Sequence, residues 1–335
     1  MPVGLKDVAK RARVSIKTAS NVVNGYPHVR PATRERVDEA IAALGYRPHL
    51  PARSLRGGRT GVVALAMPDL TSPYFAEIAR NIIFAAEKRG WTVLIDQTDG
   101  VRERELDVAR GIRDHLVDGV IFSPLALGDE DLRSPDIVAP IVCLGERIRA
   151  GAMDHIAIDN VAAACTATRH LIERGRRRIA AIGSQLSPAG ETARLRLTGY
   201  RDALSDAGHA FDPTLVQPAG NWHRADGQRA VETLMELRPH PDAVFCFNDL
   251  LALGALHGLA HLGLRVPEDV AVIGIDDIED GRFVRPALTT IAPDKAAIAA
   301  TSVALLAERL ASPTVAESVG REVRVGFELV VREST

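Results

Sequence analysis

The stretch LKDVAKRARVSIKTASNVVNG, residues 5–25, carries closely spaced helix signals. Its first part repeats apolar residues at the spacing of one helical face. Ser15 is a strong N-cap for a second helix, and the Asn-Gly pair at the end of the stretch tolerates the left-handed conformation that terminates it. A third helix is predicted from Pro31, which suits a first helical turn, to Gly45. Three such helices, with a tight turn between the first two, form a helix-turn-helix.

The polar face of the second predicted helix contains no acidic side chain. Its members are Ser15, Lys17, Thr18, Ser20 and Asn21. A helix that enters a major groove must be free of carboxylates, because phosphates line both walls of the groove. The alternative for this segment is a small helical bundle with an arbitrary polar face.

The charge of the chain is divided between its two parts. Residues 1–60 hold 12 Lys and Arg against 4 Asp and Glu, a net charge of +8, whereas the remaining 275 residues carry −10. A basic head on an acidic body indicates a polyanionic partner for the head alone. A solvated basic arm is the alternative interpretation of the charge.

Composition and length place the chain among globular proteins of more than one domain. The 335 residues are 46 % hydrophobic and 25 % charged, and no apolar run approaches the roughly 20 residues of a membrane span. The N-terminus lacks the apolar core of a signal peptide, so we expect a cytoplasmic protein without a membrane partner. Cys143, Cys165 and Cys246 stand far apart in apolar surroundings, which is typical of buried thiols in a reducing compartment.

From Gly61 onward, apolar strand-like runs alternate with longer helical patterns. GVVALAMP, WTVLIDQ, GVIFS, PIVCL and HIAID form a first series, with helices expected over 75–89 and 104–116. RIAAIG, AVFCF and VAVIGID form a second series. Such alternation indicates parallel sheets covered by helices. The predicted fold is therefore an all-α helix-turn-helix head followed by an α/β body of two parallel-sheet lobes with a ligand cleft between them.

Planar polar and aromatic side chains cluster where strands of the second series end. They are Arg196, Trp222, Asn248, Asp249, Asp276 and Asp277. Carboxylate, amide and guanidinium groups can each bind two adjacent hydroxyls, and an aromatic ring can cover the C–H face of a sugar. Asp249 and Asp277 could instead be helix N-caps, and Trp222 could be a core residue.

Two further clusters have the composition of metal sites without the spacing. Asp276, Asp277, Glu279 and Asp280 lack calcium-loop spacing and have no His or Cys beside them. His257 and His261 lie one helical turn apart but have no third ligand in the sequence, so a surface or interface pair is favoured. We expect neither a metal nor a cofactor.

The head resembles that of the lactose-repressor (LacI/GalR) family of transcription regulators. The similarity rests on LKDVAKRARVSIKTASNVVNG and TRERVDEAIAALGYRP, and it continues to the C-terminus. It implies that Ile16, Lys17 and Asn21 face bases, and that Ser15, Thr18, Ser20 and Asn24 mostly contact phosphates. Many relatives have Arg where this chain has Asn21; since Asn prefers adenine and Arg guanine, the operators should differ there.

The family resemblance also gives roles to two residues outside the second helix. Arg30 stands where relatives usually have a capping Ser, so the third helix would lose a cap while the Arg30 side chain could bind a phosphate. Leu55 matches a leucine that wedges into the minor groove from a short hinge helix, which folds only in the DNA-bound dimer. On composition alone, residues 47–61 would be a flexible linker.

The resemblance divides the body into lobes joined by three crossings. The expected domains are a head over 1–46, a linker over 47–60 and an effector-binding and dimerisation domain over 61–335. Its N-lobe would comprise about 61–160 and 291–321, and its C-lobe about 161–290 and 322–335. The crossings would lie near 158–162, 288–292 and 319–324, as in a periplasmic sugar-binding protein.

The resemblance further implies an effector site from both lobes. The C-lobe would contribute Arg196, Trp222, Asn248 and Asp276, and the N-lobe Tyr74, Phe75 and Ser123. Many relatives have Asp at the end of the PIVCL strand, where this chain has Gly145, so Glu146 or Arg147 would have to substitute.

The predicted function is an effector-controlled DNA-binding regulator, most simply a repressor that binds a palindromic operator as a homodimer and a small effector such as a sugar. The body ends without leucine heptads, which favours a dimer over a tetramer. A sugar-binding module that feeds a transporter is the second hypothesis, against which the basic head argues. An enzyme is the third, but no nucleophile elbow, phosphate loop or dinucleotide fingerprint follows a strand.

Overall fold

The fold was obtained as a computed structural model, which divides into two compact units, Met1–Thr60 and Gly61–Thr335. It describes residues 3–23, 26, 28–46, 59–111, 116–137, 139–148, 153–185, 187, 190–311 and 320–335. We call the first unit the head and the second the body.

The head is built from three helices: α1 (Leu5–Ala12), α2 (Ile16–Val23) and α3 (Pro31–Leu44). The Ser15 hydroxyl accepts a hydrogen bond of 3.0 Å from the Thr18 amide and so caps α2, as its position before the helix predicts. Buried apolar side chains from all three helices, among them Val8, Ala19 and Val37, form one small core. The predicted helix-turn-helix head is confirmed.

The body alternates strands and helices along its whole length. Its described strands are β1 (Val62–Met67), β2 (Thr92–Gln97), β3 (Gly119–Phe122), β4 (Ile141–Leu144), β5 (Asp154–Ile158), β6 (Ile179–Ser184), β7 (Val216–Pro218), β8 (Ala243–Cys246), β9 (Ala271–Ile275), β10 (Thr289–Pro293), β11 (Glu322–Val325) and β12 (Phe327–Val330). Its described α-helices are α4 (Pro73–Glu87), α5 (Arg102–Ala109), α6 (Asp129–Leu132), α7 (Asn160–Glu173), α8 (Glu191–Asp206), α9 (Arg224–Met235), α10 (Asp249–His261), α11 (Asp280–Phe283) and α12 (Lys295–Ala311).

These strands form two sheets, each at the centre of one lobe. The N-lobe sheet has the order β11-β5-β4-β3-β1-β2 and is parallel throughout. The C-lobe sheet has the order β12-β10-β9-β8-β6-β7, in which only β12 is antiparallel to its neighbour. The predicted body of two parallel-sheet lobes is confirmed, with this one antiparallel edge strand added.

Among the described residues, the chain passes between the lobes at three places, two of which lie two residues beyond the approximate ranges predicted from the sequence. The first follows β5 at Asp159, within the predicted 158–162. The second lies at Asp294, between β10 and α12, instead of 288–292. The third lies at Gly326 instead of 319–324, because residues 322–325 pair with β5 in the N-lobe sheet before β12 joins the other sheet.

The helix expected over 104–116 also differs. In the structure α5 begins two residues earlier and ends at Ala109, where a turn leads to Gly111 with a positive φ of 65°. No described helix is long and apolar enough to span a membrane. Cys143 and Cys246 are buried, whereas Cys165 is only half-buried, and all three thiols are free.

Candidate functional site

The exposed face of α2 in the head is uncharged apart from one lysine. Ile16 is 42 % exposed, Ser15 and Lys17 are exposed, and Thr18 and Asn21 are half-buried. The first turn of α2 has no acidic residue, so nothing on it would repel a phosphate. The Ser15 and Thr18 hydroxyls lie 2.8 Å apart and bond to each other.

Four of the predicted DNA-binding residues lie apart from the exposed face of α2. Ser20 is buried with 5 % exposure, so it faces the head core and does not present the surface that a phosphate contact requires. Arg30 is exposed at the N-cap of α3 and makes no capping hydrogen bond through its side chain, as its residue type predicts. Asn24 and Leu55, together with the predicted hinge helix, lie outside the described residues.

In the body, the candidate effector residues of the C-lobe lie beyond the carboxyl ends of its strands. Trp222 follows β7, Asn248 follows β8 and Asp276 follows β9, while Arg196 reaches the same edge from α8. The carboxyl ends of parallel strands converge at one edge of a sheet, so these residues come together although they are far apart in sequence.

Arg196 lies at the centre of this group. It is 6 % exposed, donates from Nε to Asn160 Oδ1 at 2.7 Å, and donates from Nη1 to the Phe247 carbonyl. Its guanidinium carbon lies 5.4 Å from the centroid of the Trp222 ring. These contacts fix the plane of the guanidinium and leave other N–H groups for a ligand.

Trp222 is half-buried against the C-lobe core. Its ring therefore packs as a core residue and also has an exposed part that a ligand could contact. Its Nε1 donates to the Gly183 carbonyl at 2.9 Å, and its carbonyl accepts from Asn248 Nδ2 at 3.2 Å. Its backbone has a φ of 57°, a conformation that non-glycine residues rarely adopt.

Asp276 is a buried carboxylate without a partner among the described residues. It is 7 % exposed, and no described residue donates a hydrogen bond to its side chain. Burial raises its pKa well above the ordinary value; the Arg196 charge opposes this rise and the Asp249 charge adds to it. A carboxylate in this condition gains from any ligand hydroxyl that donates to it.

Asp249 and Asp277, which the sequence leaves open as helix caps, have other partners. Asn248 caps α10, since its Oδ1 accepts from the Leu251 amide at 2.9 Å. Asp249 instead accepts from the Thr290 hydroxyl and the Ile278 amide. Asp277 is paired with Arg282 at 2.7 Å and with Arg332.

Tyr74 brings the N-lobe to the same site. It stands at the start of α4, and its ring contacts Phe75 edge-on at a centroid distance of 5.4 Å. Burial raises the pKa of the Tyr74 phenol, the charges of Asp276 and Glu146 raise it further, and Arg196 lowers it. Residues of both lobes therefore share one electrostatic environment. Ser123 is buried beyond β3, and no hydrogen bond between described residues joins its hydroxyl to the group.

Gly145 has no side chain to contribute to the cleft, but the carboxylate of its neighbour Glu146 extends to the C-lobe. Gly145 has a φ of 90°, which turns the chain so that the next side chain reaches the C-lobe. There the Glu146 carboxylate accepts from Thr192 Oγ1 at 2.6 Å and from Asn160 Nδ2. Arg147 points back into its own lobe, where Nε donates to the Leu127 carbonyl at 2.9 Å. Of the two substitutes that the sequence allows, Glu146 is the one at the cleft.

A second bridge between the lobes involves residues that the sequence reasoning missed. Glu77 on α4 pairs with Lys295 and accepts from the Glu279 amide at 3.3 Å, while Lys295 Nζ donates to the Asp277 carbonyl at 3.0 Å. Asn160 and Thr192 were also missed. Asn160 comes directly after the HIAID run, so the strand-end rule that selects Asn248 could have found it.

The two clusters with a metal-like composition do not form metal sites in the described structure. Among the described residues, no group of three or more His, Cys, Asp or Glu side chains could hold a metal ion. His257 and His261 are exposed on α10 with ring centroids 4.4 Å apart.

Comparison with known proteins gives both parts of the chain a family. Residues 4–49 match the model of bacterial regulatory proteins of the lacI family, and residues 168–335 match the periplasmic binding protein-like domain. Catabolite control protein A of Priestia megaterium is 33 % identical, and the alignment covers all of both chains.

Solved structures show the same arrangement. A complex of the transcriptional regulator CelR with cellobiose is 32 % identical, with a TM-score of 0.73 over 99 % of this chain and all of that one. A lac repressor dimer bound to operator and an anti-inducer is 28 % identical, with a TM-score of 0.84 over 100 % and 99 % of the two chains. The chain therefore belongs to the LacI family of bacterial transcription regulators.

Proposed function

We propose that this regulator is a repressor that binds a palindromic operator as a homodimer, and that a small polyhydroxylated effector in the interlobe cleft changes its DNA affinity. Ile16, Lys17, Thr18 and Asn21 of α2 would contact DNA, with Ser15 before the helix and Arg30, Asn24 and Leu55 as further contacts. Tyr74, Phe75, Ser123, Glu146, Arg196, Trp222, Asn248 and Asp276 would surround the effector.

The observation that carries the effector site is the buried Asp276 carboxylate, which has no hydrogen-bond partner among the described residues and feels the charge of Arg196. An ordinary core would not retain an unpaired carboxylate, because its desolvation costs stability. A ligand with adjacent hydroxyls satisfies both groups, and Trp222 supplies an aromatic face. The cellobiose complex of a relative supports a sugar as the first class to test.

The coupling of effector to DNA would act through the bridges between the lobes. Glu146 to Thr192 and Lys295 to the Asp277 carbonyl both connect one lobe to the other. An effector held between Tyr74 and Asp276 would favour one lobe arrangement over another. Coupling of this kind requires only about 1–3 kcal/mol of differential binding.

The dimer is supported by an exposed apolar edge of the N-lobe. Strand β2 is the last strand of its sheet, and its Leu94 and Ile95 are 37 % and 42 % exposed. On α4, which packs on this strand, Phe84 is 49 % exposed. An unpaired strand edge with large apolar side chains is a surface that natural proteins normally cover. A second copy of the chain is the proposed cover, since the lac repressor relative was solved as a dimer.

Sedimentation analysis at micromolar concentration tests this dimer directly. The expected mass is that of two chains, whereas a mass near one or four chains would contradict the proposal. Leu94→Glu together with Ile95→Glu should give a monomer. Leu262→Glu, at a C-lobe residue that is 49 % exposed, is a control for the effect of an added charge on an exposed apolar residue.

A thermal-shift screen of sugars and nucleosides tests the effector proposal. Compounds that raise the melting temperature are then titrated into the protein bound to a fluorescent palindrome from the DNA beside its own gene. A change in DNA affinity supports the proposal. Failure of every palindrome to bind specifically at moderate salt, with or without these compounds, would overturn it.

A further inference from the structure

Asp249 is a fully buried carboxylate whose role the proposed function leaves open. It is the first residue of α10, yet it does not cap that helix. Its Oδ1 accepts from Thr290 Oγ1 at 2.6 Å, and its Oδ2 accepts from the Ile278 amide at 3.0 Å. Burial of a carboxylate costs folding free energy, which these two hydrogen bonds only partly offset.

Both bonds of Asp249 lead to the loop that carries Asp276. The Ile278 amide belongs to this loop directly, and Thr290 Oγ1 in turn accepts from the Asp277 amide at 3.4 Å. Two successive amides of the loop are therefore held from one carboxylate. We call Asp249, Thr290 and these two amides the Asp249 clamp.

The loop needs such a clamp because its backbone is strained. Asp276 has a φ of 129° and Asp277 a φ of 48°, values that non-glycine residues adopt only when their surroundings impose them. The Asp276 amide is also fixed, since it donates to the Ile291 carbonyl at 2.8 Å. Without the clamp, the loop would relax and Asp276 would lose its direction into the cleft.

The strand below the loop is shaped around Asp249. A Cβ atom on Gly274 of β9 would lie 2.2 Å from Asp249 Oδ1, which no real contact allows. Only glycine therefore permits the carboxylate to reach the loop between β9 and α10. The absence of a side chain at Gly274 of β9 thus leaves the space that Asp249 of α10 occupies.

Asp249 also acts on Asp276 through its charge. The rise in the pKa of Asp276 comes first from burial, but the negative charge of Asp249 adds to it. The group that fixes the loop thus also disfavours an unpaired charge on Asp276, which increases the gain when a ligand donates a hydrogen bond to it.

We infer that Asp249 is a positioning residue for the effector site, which acts through Thr290 and the Asp277 and Ile278 amides to hold Asp276 towards the ligand. This inference rests on the proposed function only in taking Asp276 as the effector carboxylate. The conformation of the loop can be measured without any effector.

Hydrogen exchange of the full-length protein tests the clamp with a matched pair of variants. Thr290→Val removes the hydroxyl that links Asp249 to the Asp277 amide. Thr289→Val is the control, because Thr289 is equally buried on β10 but its hydroxyl bonds to the Arg332 backbone amide at 2.9 Å and to Thr335 Oγ1 at 3.0 Å, and to no described residue of 276–279. Thr290→Val should speed exchange of residues 276–279 by about tenfold or more. Thr290→Ser should restore the slow exchange, and Thr289→Val should leave it slow.

Equal acceleration of residues 276–279 in both valine variants would overturn the inference, because it would reflect general loss of stability. A charge readout complements this test. In an Asp249→Asn background, Asp276→Asn should raise the melting temperature at pH 8 less than it does in the natural chain, since the negative charge of Asp249 no longer opposes the charge of Asp276. An equal rise in the two backgrounds would contradict the electrostatic part.

Binding then separates the clamp from the proposed function. With ribose, cellobiose or another compound that shifts the melting temperature as probe, Thr290→Val should weaken binding about tenfold and Thr289→Val should not. If none of these probes binds the natural chain, the effector proposal is weakened while the exchange result still decides the clamp.

Discussion

Asp154 and Asp276, two buried aspartates of the body, differ in their position on the sheet, their hydrogen-bond partners and the direction in which their pKa moves. Asp154 begins β5 at the amino end of the N-lobe sheet and accepts from Arg309 Nε at 2.8 Å and Arg321 Nη2 at 3.0 Å. Asp276 lies beyond the carboxyl end of β9, and no described residue donates to its side chain.

The pKa values of the two aspartates move in opposite directions. Burial alone would raise the pKa of Asp154, but the hydrogen bonds from Arg321 and Arg309 lower it to about 2. At Asp276 the effect of burial prevails and the pKa is raised. The paired Asp154 lies at the amino end of its sheet, whereas Asp276, which we propose binds the effector, lies at the carboxyl end without a partner among the described residues.

Asp154→Asn should cause the largest loss of stability, about 3–5 kcal/mol, because it leaves Arg309 buried opposite a neutral group. Since the pKa of Asp154 is lower in the folded state, its contribution is present at neutral pH and is lost as pH falls from about 4 towards 2. Urea denaturation measures both effects.

Asp212→Asn is the control for this variant, because Asp212 pairs with Arg178 at 3.3 Å in a half-exposed position. It should cost less than about 1 kcal/mol. Similar losses for the two variants would show that Asp154 is not a structural charge of the kind described.

Asp276→Asn should have the opposite sign and stabilise the effector-free protein by about 1 kcal/mol or more. The folded state raises the pKa of Asp276, so the cost of its charge is absent below about pH 4 and grows as pH rises through the folded pKa. The rise in melting temperature caused by Asp276→Asn should therefore be absent below about pH 4 and increase as the pH rises. A loss of stability at pH 8 would mean that Asp276 has a structural role.

Thr192→Val should cost about 1 kcal/mol, because it removes the donor of the 2.6 Å bond to Glu146 that joins the lobes. It should also make Trp222 more accessible to acrylamide, measured in a Trp91→Phe background. Thr198→Val is the matched control on the same helix, since the Thr198 hydroxyl donates only within α8, to the Arg194 carbonyl at 3.0 Å. Equal acrylamide quenching of Trp222 fluorescence in the two variants would show that the Thr192–Glu146 bond does not hold the lobes together.

The sequence alone led to Asp276, the proposed effector carboxylate, but not to the contacts around it. The ends of β8 and β9 can be read from apolar runs, so Asn248 and Asp276 were found. Thr192 and Lys295 act across the cleft, and no local pattern records a contact between two lobes.

Two of the differences between the sequence predictions and the structure have clear physical reasons. The third crossing was misplaced because Gly326 alone separates a strand of one sheet from a strand of the other. Ser20 is buried because the α2 residues that pack on the head core form a wider face than the apolar residues indicate.

Asn21→Arg should have the smallest effect on stability, within about 0.5 kcal/mol, because the half-buried Asn21 makes no buried ion pair. It should nevertheless move base preference from adenine towards guanine at one operator position, by about 1–3 kcal/mol. Selection of palindromes from a random pool measures this preference. An unchanged preference would remove Asn21 from the base-reading residues. We therefore expect replacement of the half-buried Asn21 to change base preference and replacement of the buried Asp276 to change stability.

We propose that Asp276 serves effector binding and is needed neither for the fold nor for DNA binding. The most direct measurement is the operator affinity of the natural chain and of Asp276→Asn, by fluorescence anisotropy, with and without the compound that gives the largest thermal shift. The natural chain should change its affinity about fivefold or more on adding the compound. Asp276→Asn should bind the operator as tightly as the effector-free natural chain and show no change. A response that survives in Asp276→Asn, or a loss of operator binding in that variant, would contradict the claim.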